Sequence, residues 1–239
     1  MREVNFSGIS GYRSSLGRLI RLPLRAIPNK TVLPILQGPL KGTKWIAGSS
    51  NHGCWLGSYE FEKQRRFFEA VPQGGVVWDL GAHVGFYTLL AAKKAKYVLA
   101  IEPLIENAAY LDEHLRLNHI LNVAVLKGAV CDTSGTGRFS PGHSTPMGKI
   151  AATGVVEVRL FTLNTLVNCY PPPALLKIDV EGAEFKVLRG GLEYLKASKP
   201  TIFLATHGCA VHKACVKLLQ GIGYRLETFG ATDELIAAA

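Results

Sequence analysis

The sequence predicts an α/β fold: a mostly parallel, doubly wound sheet in three layers, α/β/α. Three observations lead there. Short apolar runs without in/out alternation recur along the chain, the composition of strands buried on both faces. Amphipathic helical stretches separate them, as the crossovers between parallel strands require. Three of the runs end on an acid, Asp79, Glu102 and Asp179, and ligands of open α/β sheets sit beyond the carboxyl ends of strands.

At 239 residues the chain suffices for one well-buried domain with a modest extension. Residues 1–58 read as a basic extension partly packed on the core, because Pro23, Pro28, Pro34 and Pro39 break long regular elements. Residues 59–239 read as the main domain. The stretch YEFEKQRRFFEA (59–70) suits a helix that stops before Pro72. VVWDL (76–80) is a first buried strand and Phe86 to Lys94 a helix. YVLAIEP (97–103) is a second strand, and the helix after it puts Leu104, Ala108, Leu111 and Leu115 on one face. VAVLKGAV (123–130) is a third. A long interruption follows, rich in Gly, Ser, Thr and Pro between 132 and 154; on a compact domain such a loop is usually functional, and it is expected to shape an acceptor pocket. A strand then turns Val156, Val158 and Leu160 inward and Glu157 and Arg159 outward. LLKIDV (175–180) is the fourth strand of the parallel series, its helix carrying Val187, Leu188, Gly191, Leu192 and Leu195. TIFLATH (201–207) is the fifth, and its helix has the stripe Val211, Ala214, Cys215, Leu218 and Leu219.

Composition excludes several classes. No apolar run is long enough for a membrane span and the N-terminus lacks a secretory stretch, so a cytoplasmic protein is expected. The five cysteines form no C-x-x-C pair, which argues against a disulfide framework and fits a reducing compartment. Of the formal charge of +9, +7 belongs to residues 1–50, which hold eight Lys or Arg against one Glu. Arg13, Arg18, Arg21 and Arg25 among leucines could lie on an anionic membrane through residues 12–30, or form a solvated arm. No RNA-binding signature or zinc module supports a nucleic-acid partner. The stretch H-G-C-A-V-H-K-A-C (207–215) matches no common zinc spacing, so no metal is expected there.

The loop D-L-G-A-H-V-G (79–85) has Gly81 and Gly85 without the third glycine of a G-x-G-x-x-G dinucleotide site. It resembles the acid-x-Gly-x-Gly-x-Gly loop of S-adenosylmethionine-dependent methyltransferases, with His83 in the middle glycine position. In that reading Gly81 lets the backbone approach the cofactor, Asp79 meets its ammonium, and Gly85 lets the first helix pack near the sheet. Glu102, 21 residues beyond Gly81, would accept both ribose hydroxyls. Further on, LLKIDVEGAEFKVLRGG (175–191), with GPLKGTKW, WLGSYE, DLGAHVGFYTLLAA, AIEP and KIDVEGAE in order, resembles the FkbM family of methyltransferases over residues 38–225.

The resemblance implies a Rossmann-like class I methyltransferase fold and O-methylation of a hydroxyl on a sugar, glycolipid, polysaccharide or polyketide-type metabolite. It implies a cofactor set of Asp79, Gly81, His83, Gly85, Glu102, Pro103, Ala129 and Asp179. An alcohol needs a base. His207, with an ordinary pKa near neutrality, is the candidate, and Asp179 or Glu181 would orient it or bind the acceptor. Bland alternatives exist: Asp179 could cap the next helix, Glu181 and Glu184 could answer its dipole, and Lys177 reads as a strand-end lysine that snorkels. Three departures from the family stand out. His83 replaces a usual Asn, Asn164 follows Thr162 and Leu163 where T-L-D is usual, and Ala205-Thr206-His207 lacks the acid that often precedes the histidine. If that acid orients the base, another group must do so here. The rival readings are an NAD-linked oxidoreductase and a non-catalytic cofactor-binding or membrane-associated assembly protein.

Overall fold

The computed structural model describes residues 23–141, 148–150, 156–229 and 233–239. Two short strands, β1 (Val32–Pro34) and β2 (Lys44–Ile46), and helix α1 (His52–Leu56) precede α2 (Phe61–Ala70). The chain then alternates through β3 (Val76–Leu80), α3 (Phe86–Ala92), β4 (Tyr97–Glu102), α4 (Ile105–Leu117) and β5 (Val123–Lys127). An excursion follows: β6 (Ala129–Val130), β7 (Gly135–Pro141), β8 (Gly148–Ile150), β9 (Val156–Phe161) and α5 (Leu163–Leu166). The parallel series resumes with β10 (Leu175–Ile178), α6 (Glu184–Gly190), α7 (Leu192–Ser198), β11 (Thr201–Ala205) and α8 (Cys209–Gly221). It closes on β12 (Arg225–Thr228) and β13 (Glu234–Ala238).

The main sheet has the order β12-β13-β11-β10-β3-β4-β5. Strands β5, β4, β3, β10 and β11 are parallel, and β13 runs antiparallel to both neighbours. The chain builds outward from β3 to β5, then returns and builds the other way from β10. The reversal therefore falls between β3 and β10, and their carboxyl ends open the crevice where such sheets take ligands. Every residue of β3 is buried, as a strand covered on both faces must be. One face packs α2, α3, α4 and the N-terminal segment, with Val77, Ala100 and Phe203 in that core; the other carries Trp78, Leu176, Ile202, Val187 and Cys215.

Three expectations change. The third strand breaks after Lys127: β5 stays in the main sheet, while β6 pairs with β9 in a second sheet of order β6-β9-β7-β8. Residues 135–141 are a strand, antiparallel to β9, although GTGRFSP carries little strand propensity; the open edge of β9 recruits them. Within 132–154, residues 142–147 and 151–154 lie outside the described residues. The helix after β10 is two helices, α6 and α7, meeting at Gly191. No described helix is long and apolar enough to cross a membrane. The suggested membrane contact through residues 12–30 falls mostly outside the described residues.

The segment before α1 is short in regular structure yet deeply buried through Ile35, Leu40 and Trp45. His114 of α4 ties it down. The Ile46 N–H donates to Nε2 at 3.1 Å, so Nδ1 carries the proton and donates to the Val84 carbonyl at 2.9 Å. The ring stacks on Trp45 with centroids 4.0 Å apart. One neutral imidazole thus joins β2 to the loop after β3. Burial lowers its pKa to about 4 from 6.5, so the folded chain refuses a proton that the unfolded chain accepts. This share of stability is full above pH 6.5 and is lost progressively as the pH falls toward 4. His114→Phe, which keeps a ring against Trp45 but makes neither hydrogen bond, should cost about 2 kcal/mol and flatten the fall of the urea midpoint over that window. An unchanged pH profile would remove His114 as its source.

Candidate active site

The site is built by register. Lys177 of β10 and Asp79 of β3 are direct Cα partners, so their side chains share a face, and Asp179, two residues beyond Lys177, emerges on the same side. The Lys177 Nζ lies 3.2 Å from Asp79 Oδ1 and 3.7 Å from Asp179 Oδ2, and donates to the Gly81 carbonyl at 2.8 Å. Asp79 Oδ2 accepts from Thr88 Oγ1 at 2.6 Å. Asp79, expected to meet a ligand, does not line the cavity. Asp79 is 0% exposed and stands behind the loop, its oxygens turned to Lys177 and Thr88.

The loop after β3 is a tight turn. Gly81 has φ +78°, and a Cβ there would overlap the Asp179 carbonyl oxygen; only glycine allows the two strand ends to come this close. Gly85 has φ +95°, and a Cβ would overlap the Leu111 side chain of α4, so its small size admits α4 rather than only letting α3 approach the sheet. The N–H groups of Gly81 and Ala82 both donate to the Ile101 carbonyl at 3.0 Å. His83, at φ +51°, donates its backbone N–H to Glu102 Oε2 at 2.8 Å. Glu102 Oε1 accepts from the Leu104 N–H at 3.0 Å and from Asn107 Nδ2 at 3.1 Å. Burial raises the Glu102 pKa, against these hydrogen bonds. Three donors fix the carboxylate plane, and Oε2 keeps the acceptor capacity that faces outward.

These elements enclose a cavity of about 530 Å³, within the range that small-molecule sites occupy. Of the expected residues, Gly81, His83, Glu102, Pro103, Ala129, Asp179 and Glu181 line it, whereas Asp79, Gly85 and His207 do not. Sequence reasoning missed much of the wall: Ser49, Asn51 and Tyr59 come from the N-terminal side, Phe139 from β7, and Asn107 from α4. Burial and the nearby Lys177 push the His83 ring down to a pKa of about 4, so it is neutral at physiological pH.

His207 sits beside the cavity, beyond β11. Its Nδ1 is 2.9 Å from Glu184 Oε1, and its Nε2 is 3.5 Å from Glu181 Oε2 and 3.8 Å from Asp179 Oδ1. Glu184 is fully buried and also accepts the Gly182 N–H at 2.9 Å. Glu184, at the start of α6, thus holds the His207 ring, and its place three residues after Glu181 was the available signal. Asp179 does not cap α6; Ala183 holds that position. The Glu184 hydrogen bond raises the His207 pKa to about 9, against burial, with Glu181 and Asp179 adding to it. Burial would raise the pKa of Asp179, but Lys177, Lys63 and His207 together bring it below the ordinary value. Burial raises that of Glu181. Asp179, Glu181 and His207 place ligand atoms within 4.8 Å of one another, a spread open to a metal ion. The zinc-like stretch does not converge, since His212 turns to Thr206 Oγ1 at 2.9 Å and Cys215 is buried in the core. Asn164, the T-L-N departure, serves the packing of α7 through its Oδ1, which accepts the Tyr194 N–H at 3.3 Å.

A sheet with this reversal, a glycine turn after β3 and an acid closing β4 is the frame of nucleoside-cofactor enzymes, shared by class I methyltransferases and dinucleotide-binding proteins. A methyltransferase FkbM domain profile matches residues 79–226. The chain belongs to the FkbM methyltransferase family. It is 28% identical over 160 residues to the hexuronic acid methyltransferase AglP of Haloferax volcanii, covering 65% of this chain and 66% of that protein. It is 36% identical over 66 residues to the tRNA (guanine(37)-N(1))-methyltransferase Trm5b of Pyrococcus abyssi, 28% of this chain and 20% of that one. The crystal structure of methyltransferase FkbM from Methylobacillus flagellatus superposes with a TM-score of 0.53 at 15% identity, over 79% of this chain and 53% of that chain. The chain thus spans just under two thirds of the first relative and about half of the solved structure. The family does not favour the oxidoreductase reading.

The residues present fit the donor of this class. Glu102 Oε2 would accept from a ribose hydroxyl, the Gly81 turn brings backbone to the cavity without a side chain, and Asp179 offers a carboxylate held charged by Lys177 and Lys63. Glu184→Gln should leave His207 in place while its pKa falls from about 9 toward 6.5, read by NMR titration of the ring. A titration unmoved by the substitution would show that Glu184 is not its main cause.

Proposed function

We propose that this chain transfers a methyl group from S-adenosylmethionine to an oxygen of a sugar or sugar-bearing metabolite, with His207 as the base that takes the acceptor's proton. The supporting observation is the geometry of that histidine. Glu184 holds Nδ1, which fixes the proton there and leaves Nε2 3.5 Å from Glu181 Oε2 and 3.8 Å from Asp179 Oδ1, two residues of the cavity wall. The bound donor supplies a methyl group already activated on a sulfonium, so alignment and proton removal are left to the chain itself. Glu181 can accept hydrogen bonds from neighbouring hydroxyls, which suits a polyhydroxylated acceptor. Phe139 and Tyr59, both in the cavity wall, offer apolar faces, and the β7 segment contributes to the acceptor side. The sugar acid named for AglP supports the same substrate class. The match to Trm5b spans 66 residues and does not argue for a nucleic-acid acceptor.

A base with a pKa of about 9 is protonated at rest, and only about one chain in a hundred holds the neutral ring at pH 7. Asp179, once it faces the donor's positive charge, no longer holds the imidazolium as strongly, and His207 releases its proton more readily. Turnover should therefore rise with pH, its limit at or below about pH 9. His207→Ala should bind donor as the parent chain does, lose about 100-fold or more in turnover, and lose that pH dependence. Full turnover in the variant would remove His207 from the reaction. Labelled methyl transfer against sugars, uronic acids and glycans should give O-methyl products by mass spectrometry; exclusive methylation of nitrogen would overturn the reading.

A further inference from the structure

We infer that Lys177 is the positioning residue of the donor site: its buried ammonium holds the Gly81 carbonyl and the Asp179 carboxylate together as the acceptor pair for the donor's ammonium end. The inference rests on the methyl-donor reading above.

Lys177 is not a strand-end lysine reaching for water. Its side chain is 6% exposed, and the sheet register places it opposite Asp79 on the face that leads to the crevice. A lysine ammonium has three protons to place. It donates to the Gly81 carbonyl at 2.8 Å, and it lies at ion-pair distance from Asp79 Oδ1, 3.2 Å, and Asp179 Oδ2, 3.7 Å. Gly81 and Asp179 belong to different strand ends, and the turn at Gly81 already presses against the Asp179 backbone. The same ammonium therefore locks both acceptors across the switch point.

The charges support this assignment. Asp79 and Asp179 bring two negative charges and Lys177 one positive; the His207 ring near Asp179 is shared with Glu181 and Glu184, so the cluster as a whole stays negative. Of the two carboxylates, only Asp179 lines the cavity. Lys63, a second buried cation on this side, already faces Glu60 at 3.4 Å and Glu234 at 2.7 Å. The cavity end thus offers one carboxylate and one carbonyl, the carbonyl keeping a second lone pair, which matches a singly charged ammonium. Asp79 acts behind the wall as the counter-charge that lets a lysine be buried there at all.

The test is a variant pair that keeps the net charge. Asp79→Asn with Lys177→Met removes both buried charges, an exchange that folds often tolerate, and leaves Asp179 as the single charge. Calorimetry should show S-adenosylmethionine and S-adenosylhomocysteine both bound at least tenfold more weakly than by the parent chain, because both share the same amino-acid end. In steady state the donor KM should rise by a similar factor while the acceptor KM and kcat hold within about twofold. Asp79→Asn with Lys177→Gln restores a donor toward Gly81 and should recover part of the affinity; it also carries the test if the methionine variant unfolds. Donor binding within twofold of the parent chain in either folded double variant would overturn the inference. A parent chain that binds neither compound would instead sink the methyl-donor reading.

Discussion

The closeness of two strand ends governs the rest of this molecule. At the switch point the Gly81 turn and the Asp179 backbone come so near that any side chain at Gly81 would overlap a carbonyl oxygen. That approach draws the loop after β3 tight, which puts the His83 N–H on Glu102 and fixes the carboxylate that closes β4. The same loop presents its Val84 carbonyl to His114, and His114 in turn holds β2. A glycine at one position thus sets the floor of the cavity, one wall, and the anchor of the N-terminal segment that forms another.

Gathering acids at one rim is unfavourable unless cations answer them. The fold does this with three cations drawn from different elements. Lys177 stands between Asp79 and Asp179, Lys63 of α2 between Glu60 and Glu234, and His207 among Asp179, Glu181 and Glu184. Each lysine faces one carboxylate at less than 3.3 Å and a second at a longer distance. The second-contact carboxylate of Lys177, Asp179, is the one that lines the cavity. The arrangement keeps Asp179 charged without neutralising it fully, a condition for any group that must meet a cationic ligand and release it again.

Much of this was legible in the residues. The apolar runs located β3, β4, β10 and β11, and the helix stripe Leu104, Ala108, Leu111, Leu115 is buried as its spacing implies. Motif spacing picked out Gly81, His83, Glu102 and Asp179, which line the cavity, because each owes its place to local structure: a turn, a strand end, or a position just past another strand residue. What failed was non-local. Phe139 enters the cavity because residues 135–141 pair with β9, a tertiary choice that overrides weak propensity. Tyr59, Ser49 and Asn51 reach the site only because His114 and Trp45 dock their segment. Lys177 read as a snorkelling side chain since nothing in K-I-D alone tells that Asp79 lies opposite it in a neighbouring strand. The pairing of Asp79 with that buried lysine was hidden for the same reason.

The missing acid before His207 is explained by the same logic. Where Ala205 and Thr206 stand, a carboxylate could have held the imidazole from its own strand. Here Glu184, from the helix after β10, reaches the Nδ1 at 2.9 Å and is itself fixed by the Gly182 N–H at 2.9 Å. A partner on a different element couples the His207 ring to the V-E-G-A-E turn that also carries Glu181. Thr206, released from that duty, binds the Asp233 carbonyl and His212 instead, and so ties the end of β11 to the approach to β13 and to α8. At 205–206 the chain departs from the family pattern, and the His207 ring is held instead by Glu184, a residue of the V-E-G-A-E stretch itself.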